Sequence, residues 1–183
     1  MSASSMKMEW AAFIAALALV AAMAAMAAIT KPPGRVSRLE HQQQMQQAEL
    51  RQRFDQATVM LHARQYEHAT TALQRVLDLA PNLPEAKVNM GFALLGLERA
   101  EEARGFFLSA IDLRPAQANA YYGLAMAEEQ RQDYEAALGG MRSYLHLAPA
   151  DDPHRVRARA ALWEWEEKLG RHAAVAPAAP LRQ

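Results

Sequence analysis

The chain of 183 residues contains no cysteine. That absence excludes disulfides, thiolate zinc sites, thiol nucleophiles and CxxCH haem attachment together, and leaves the redox compartment open. Charge of either sign is not in surplus: 20 Lys and Arg balance 20 Asp and Glu. No basic excess argues for nucleic acid and no acidic excess for cationic partners. Glycine is sparse at 8 residues. No glycine loop is present to cradle a phosphate, and Gly139-Gly140 falls inside a helical pattern. Histidines at 41, 62, 68, 146, 154 and 172 form no HExxH or other zinc spacing. Carboxylate pairs such as Glu101/Glu102 and Glu166/Glu167 are adjacent in sequence, so they diverge around a helix. Arg155, Arg157 and Arg159 read as a solvated helix face. The sequence thus implies no enzyme, no cofactor, no metal, no nucleic acid and no small-molecule substrate.

What is abundant is alanine, leucine, glutamine, glutamate and arginine, a helical composition. Pro81, Pro115 and Pro149 stand 34 residues apart and close the segments LQRVLDLAP, FFLSAIDLRP and MRSYLHLAP. Twelve residues before each proline is an alanine, Ala69, Ala103 or Ala137, and four after each alanine is a bulky residue, Leu73, Phe107 or Met141. A fixed period of this size marks a stack of helical hairpins. The small residue lets two antiparallel helices approach, the bulky one fills the gap between repeats, and the proline stops the second helix.

This pattern resembles the tetratricopeptide repeat (TPR) family, and the resemblance covers 50–170, about two thirds of the chain. It implies an all-α, right-handed superhelical stack. Three repeats (50–83, 84–117 and 118–151) would fill 50–149, followed by a capping helix at 152–170 and a disordered tail at 171–183. Pro84 and Glu85 suit the start of a helix. Asp152-Pro153 reads as the cap of the last helix and Gly170 as its end.

Ahead of the repeats, 1–9 is a polar tail and Trp10 to Ile29 is a run of twenty residues without a charge. At helical rise it spans roughly 30 Å, so 10–30 reads as a single transmembrane helix. A cleaved signal peptide is the alternative, with small-x-small sites at Ala22-Met23-Ala24 and Ala25-Met26-Ala27. Ala11, Ala15, Ala18, Ala22 and Ala25 share one helical face and suit packing against another membrane helix. Residues 31–49 combine a Pro/Gly break with a glutamine-rich helical stalk, and Ser37 with Glu40 forms a capping-box pattern. Lys31, Arg35 and Arg38 outweigh Lys7, which places the repeats on the cytoplasmic side of a membrane, the periplasm being the alternative.

The resemblance also implies a concave groove lined at fixed positions of each first helix. Those positions carry Arg51, Phe54, Thr58 and Leu61, then Glu85, Val88, Phe92 and Leu95, then Asn119, Tyr122, Met126 and Glu129. Continuing the register adds Val156, Ala160 and Trp163 from the capping helix. Of the residues with which chaperone-tail clamps grip a terminal carboxylate, only Asn89 has a counterpart; Phe54, Asn119 and Gly123 replace the basic ones. The expected groove, Phe54, Thr58, Leu61, Val88, Asn89, Phe92, Asn119, Tyr122, Met126 and Trp163, suits an amphipathic helix or an apolar peptide. Trp163 and Trp165 point about 160° apart, so Trp165 is expected in the core and Trp163 at the surface.

The chain is similar to bacterial membrane-anchored TPR proteins that regulate lipopolysaccharide synthesis, and to periplasmic TPR subunits of c-type cytochrome biogenesis. The leading reading is an anchored adaptor, scaffold or assembly factor that takes a protein partner in its groove. A permanent accessory subunit of a membrane complex, held through the alanine face, is the other.

Overall fold

The computed structural model describes residues 36–171, and these form seven α-helices. They are α1 (Val36–His62), α2 (Tyr66–Leu79), α3 (Pro84–Gly96), α4 (Ala100–Leu113), α5 (Ala118–Gln130), α6 (Tyr134–Leu147) and α7 (Arg155–Lys168). The chain divides into two units, Met1–Gln46 and Gln47–Gln183. Of the first unit, the described part is the exposed beginning of α1. The second unit contains the helical stack.

Each second helix of a hairpin stops two residues before a proline: α2 before Pro81, α4 before Pro115 and α6 before Pro149. The proline ring disfavours helical backbone in the residue ahead of it. Ala80, Arg114 and Ala148 accordingly leave the helix with ψ of 75°, 90° and 142°. The first helices end differently. Arg64, Glu98 and Gln132, again 34 residues apart, take φ of 58°, 61° and 62°. Their N–H groups and those of the next residues satisfy the last carbonyls, as in Glu98 N–H to Leu95 O and Arg99 N–H to Leu94 O. This paired closure, with one left-handed residue, reverses the chain in a minimal loop. Gly170 at φ 71° ends α7 the same way.

Ala69, Ala103 and Ala137 are fully buried, as are Leu73, Phe107 and Met141 one turn on. Phe107 is the most demanding of these. Its ring lies where a Cβ on Gly91 of α3 would come within 2.6 Å and one on Gly123 of α5 within 2.2 Å. The ring also meets Phe92 edge-on at 5.1 Å. Only a missing side chain on both flanking helices makes room for an aromatic there. Salt bridges add a second seam between α4 and α5. The buried Glu128 carboxylate meets Arg104 Nε at 2.7 Å and also Arg131, while Arg131 Nε reaches Glu101 at 2.7 Å. A buried carboxylate with two guanidinium partners is held in one geometry, and loss of either partner would strand its charge.

The structure corrects several expectations. Residues 10–30, with Ala11, Ala15, Ala18, Ala22 and Ala25, lie outside the described residues. Among the described residues no helix is long and apolar enough to cross a membrane. The one long helix, α1 with 27 residues, is polar through HQQQMQQAEL, and the others have 13 or 14. The described residues thus form an all-α stack without a spanning helix, which does not bear out the expected single-pass membrane architecture and localisation. The helix α1 runs from Val36, so Ser37 falls in its first turn. Asp152 does not cap α7, which begins at Arg155 after His154; its Oδ1 instead accepts the His154 N–H at 2.8 Å in the preceding turn.

Two alanine substitutions separate close approach from helix propensity. Gly123→Ala drives a methyl into the Phe107 ring and should destabilise the stack by about 1–3 kcal/mol. Gly105→Ala, on α4 with nothing within 4 Å of the new Cβ, should stabilise it by about 0.5–1 kcal/mol. Urea unfolding of the two variants checks both signs.

Candidate functional site: the groove between the first and last helices

Polar cross-links tie the first helices of successive hairpins into a row. Thr58 on α1 donates to the Phe54 carbonyl at 3.0 Å and receives Asn89 Nδ2 of α3 at 3.1 Å. Gln130 on α5 donates to the Leu95 carbonyl of α3 at 3.2 Å. Trp165 of α7 donates its indole N–H to Glu129 of α5 at 2.8 Å. The row α1, α3, α5, α7 is thus fixed by side chains as well as by apolar packing.

A cavity of ≈ 830 Å³ opens along this row. Its lining comes from the end of α1 and the loop after it (Leu61, His62, Arg64), the start of α2 (Tyr66) and α3 (Asn89, Phe92). The approach to α5 and its first turns add Ala116, Gln117, Ala118, Asn119 and Tyr122. Tyr144 of α6, Asp152, His154 and Arg157 complete it. Of the groove expected from sequence, the structure brings Leu61, Asn89, Phe92, Asn119 and Tyr122 together in this cavity. Phe54, Thr58 and Met126 are half-buried and stand outside its lining. Val88 is fully buried, so it is core and presents nothing to a partner. Trp163 is 62% exposed but also lies outside the lining; Arg157 is the α7 residue that reaches the cavity. A first-helix register carried into α7 misses this, because the turn after Pro149 delays the helix to Arg155.

The α7 end of the groove is an aromatic and charged corner. Tyr122 packs edge-on against Tyr144 at 5.2 Å and lies 5.9 Å from the His154 ring. Tyr144 is 3% exposed, and its hydroxyl has no partner in hydrogen-bond geometry, the Asp152 carboxylate beside it included. Burial, and then that carboxylate, push the phenol up to about 12, so it stays neutral at physiological pH. The His154 N–H holds the Asp152 carboxyl below its ordinary range. Arg155 turns away from the cavity and donates to the Leu145 and Ala148 carbonyls at 2.8 and 2.9 Å, satisfying the end of α6. Among the described residues no group of three or more His, Asp or Glu could hold a metal ion. What this corner offers is hydrogen bonds, ring faces and charge.

No protein-family profile matches the chain, and no curated protein matches its sequence. Solved structures do match its fold. The first TPR of Spaghetti (RPAP3), solved with the HSP90 peptide SRMEEVD, superposes with a TM-score of 0.61 at 19% identity, over 66% of this chain and 93% of that one. The Yersinia enterocolitica type III secretion chaperone SycD, solved with a peptide of the translocator YopD, gives 0.62 at 14%, over 67% and 95%. MamA 41-end from Desulfovibrio magneticus RS-1 gives 0.60 at 22%, over 68% of each chain. The chain has the TPR fold.

The two tryptophans of α7 test the packing that sets this site. Trp165 is fully buried, belongs to the apolar cluster that includes Ala137, Leu138 and Met141, and makes the Glu129 bond. Trp165→Ala should cost about 3–5 kcal/mol. Trp163→Ala should change stability by no more than about 0.5 kcal/mol. Thermal unfolding of the two variants checks the difference.

Proposed function

We propose that the chain is a protein–protein interaction module that holds an extended peptide segment of a partner in the groove. The observation that carries this is the chemistry of the lining. Leu61, Phe92 and Tyr122 supply an apolar, aromatic seat, and Asn89, Gln117 and Asn119 supply amide donors and acceptors around it. An extended peptide presents the complement: apolar side chains together with main-chain N–H and C=O groups that need partners once water leaves. A cavity of ≈ 830 Å³ takes a few residues of such a segment, not a folded domain. The proteins of like fold that were solved with an HSP90 peptide and a translocator peptide support the same use of a stack of this kind on architectural grounds. In this reading the module acts as an adaptor or assembly factor: it supplies binding, and the partner supplies chemistry.

Photocrosslinking tests this. Benzoylphenylalanine replaces Asn119, which is exposed at the groove, or Thr71, which is exposed on α2 outside it. Irradiation in cells should yield one dominant partner adduct from position 119 and none from position 71, and Asn119→Trp should block that partner without altering thermal unfolding. Equal adducts from both positions would remove the groove from the account.

A further inference from the structure

Two guanidinium groups reach the groove, and neither serves the fold. Arg64 lies in the loop closing α1, and Arg157 in the first turn of α7; among the described residues neither side chain makes a hydrogen bond or ion pair. Many other arginines are engaged, as in Arg53–Glu49, Arg99–Glu102, Arg142–Glu166 and Arg171–Glu135, and those that are not, such as Arg51, Arg75 and Arg159, lie outside the groove lining. Repeat geometry does not demand them either. The residues 34 positions after Arg64 and 34 after that are Glu98 and Gln132, with the same left-handed backbone. The residue 34 positions before Arg157 is Gly123.

The charge of the groove is therefore a property of this chain. Its lining carries Arg64 and Arg157 with His62 and His154 beside them, against a single carboxylate, Asp152. That carboxylate already accepts the His154 N–H and lies in the field of Arg155. A cavity with positive groups at two separate points attracts and orients an anionic ligand, because low-dielectric walls focus the field. The two cations come from the loop after the first helix of the row and from the last helix, with α3 and α5 between those helices. Each guanidinium offers a fork of N–H donors that matches one carboxylate.

We propose that the groove selects an extended client segment with acidic side chains on both flanks of an apolar residue, one carboxylate seated against Arg64 and the other against Arg157. The proposal rests on the peptide-binding reading above and adds the class of peptide. Phe92 and Tyr122 would take the apolar residue between the two charges.

The test is selection from two libraries of random twelve-residue peptides on the full chain, one displayed with both ends blocked and one with free C-termini. Affinities of the selected peptides are then read by fluorescence anisotropy at low and high salt. The expected result is enrichment of Asp and Glu on both sides of an apolar residue in the blocked library. Binding should weaken at high salt, because paired surface charges are screened. Arg64→Glu and Arg157→Glu should each weaken binding at least tenfold, and Arg159→Glu, exposed on the same helix outside the lining, less than twofold. Folding is not at issue: glutamate already occupies the equivalent of position 64 at Glu98, and Arg157 is exposed. Selected peptides without acidic preference, or undiminished binding by both reversals, would overturn the proposal and leave peptide binding standing. Enrichment confined to free C-termini would overturn the two-flank arrangement. Selection of nothing by either library would overturn peptide binding itself, and this proposal with it.

Discussion

The stack depends on one aromatic ring held between two glycines. Phe107 is fully buried, and the Gly91 and Gly123 backbones approach it so closely that any side chain on either would overlap the ring. Van der Waals contact at this density is lost quickly when a gap opens, so the wedge fixes the separation of α3 and α5 as well as the position of α4. It also reaches the groove indirectly. Phe92, which lines the cavity, packs edge-on against Phe107. The aromatic seat of the groove is therefore set by the same contact that joins repeats two and three.

Around that wedge the molecule separates structural charge from available charge. Glu128, Arg104, Arg131 and Glu101 form a closed network between α4 and α5, and Arg155 is committed to carbonyls at the end of α6. Arg64 and Arg157 are bound by none of this and face the cavity. A chain of zero net charge thus presents a locally positive groove. Formal charge sums the whole surface, whereas a ligand meets only the lining.

The fold was legible because packing repeats on a fixed period. Ala69, Ala103 and Ala137 are small where helices touch, and Pro81, Pro115 and Pro149 stand just beyond the helix ends, so spacing alone implied hairpins. The site was legible only in its central part. Leu61, Asn89, Phe92, Asn119 and Tyr122 follow from first-helix positions, but Val88 turned inward to the core. Arg64, Gln117, Asp152 and His154 come from loops, and Tyr66 and Tyr144 from second helices, where no first-helix rule applies. Trp163 lies outside the cavity lining because α7 starts at Arg155, later than Asp152-Pro153 suggested. The apolar run ahead of α1 is a strong local signal, but it does not bear on the described helices, none of which has the length and hydropathy to span a bilayer.

The claim that one wedge couples the repeats is most directly tested by native-state hydrogen exchange on Phe107→Ala. The account predicts that protection falls together in α3, α4 and α5, by about 3–5 kcal/mol, the usual cost of removing a buried aromatic. It also predicts that α6 and α7, packed around Trp165 in a separate apolar cluster, lose less. Loss of protection confined to α4, with α3 and α5 unchanged, would contradict it.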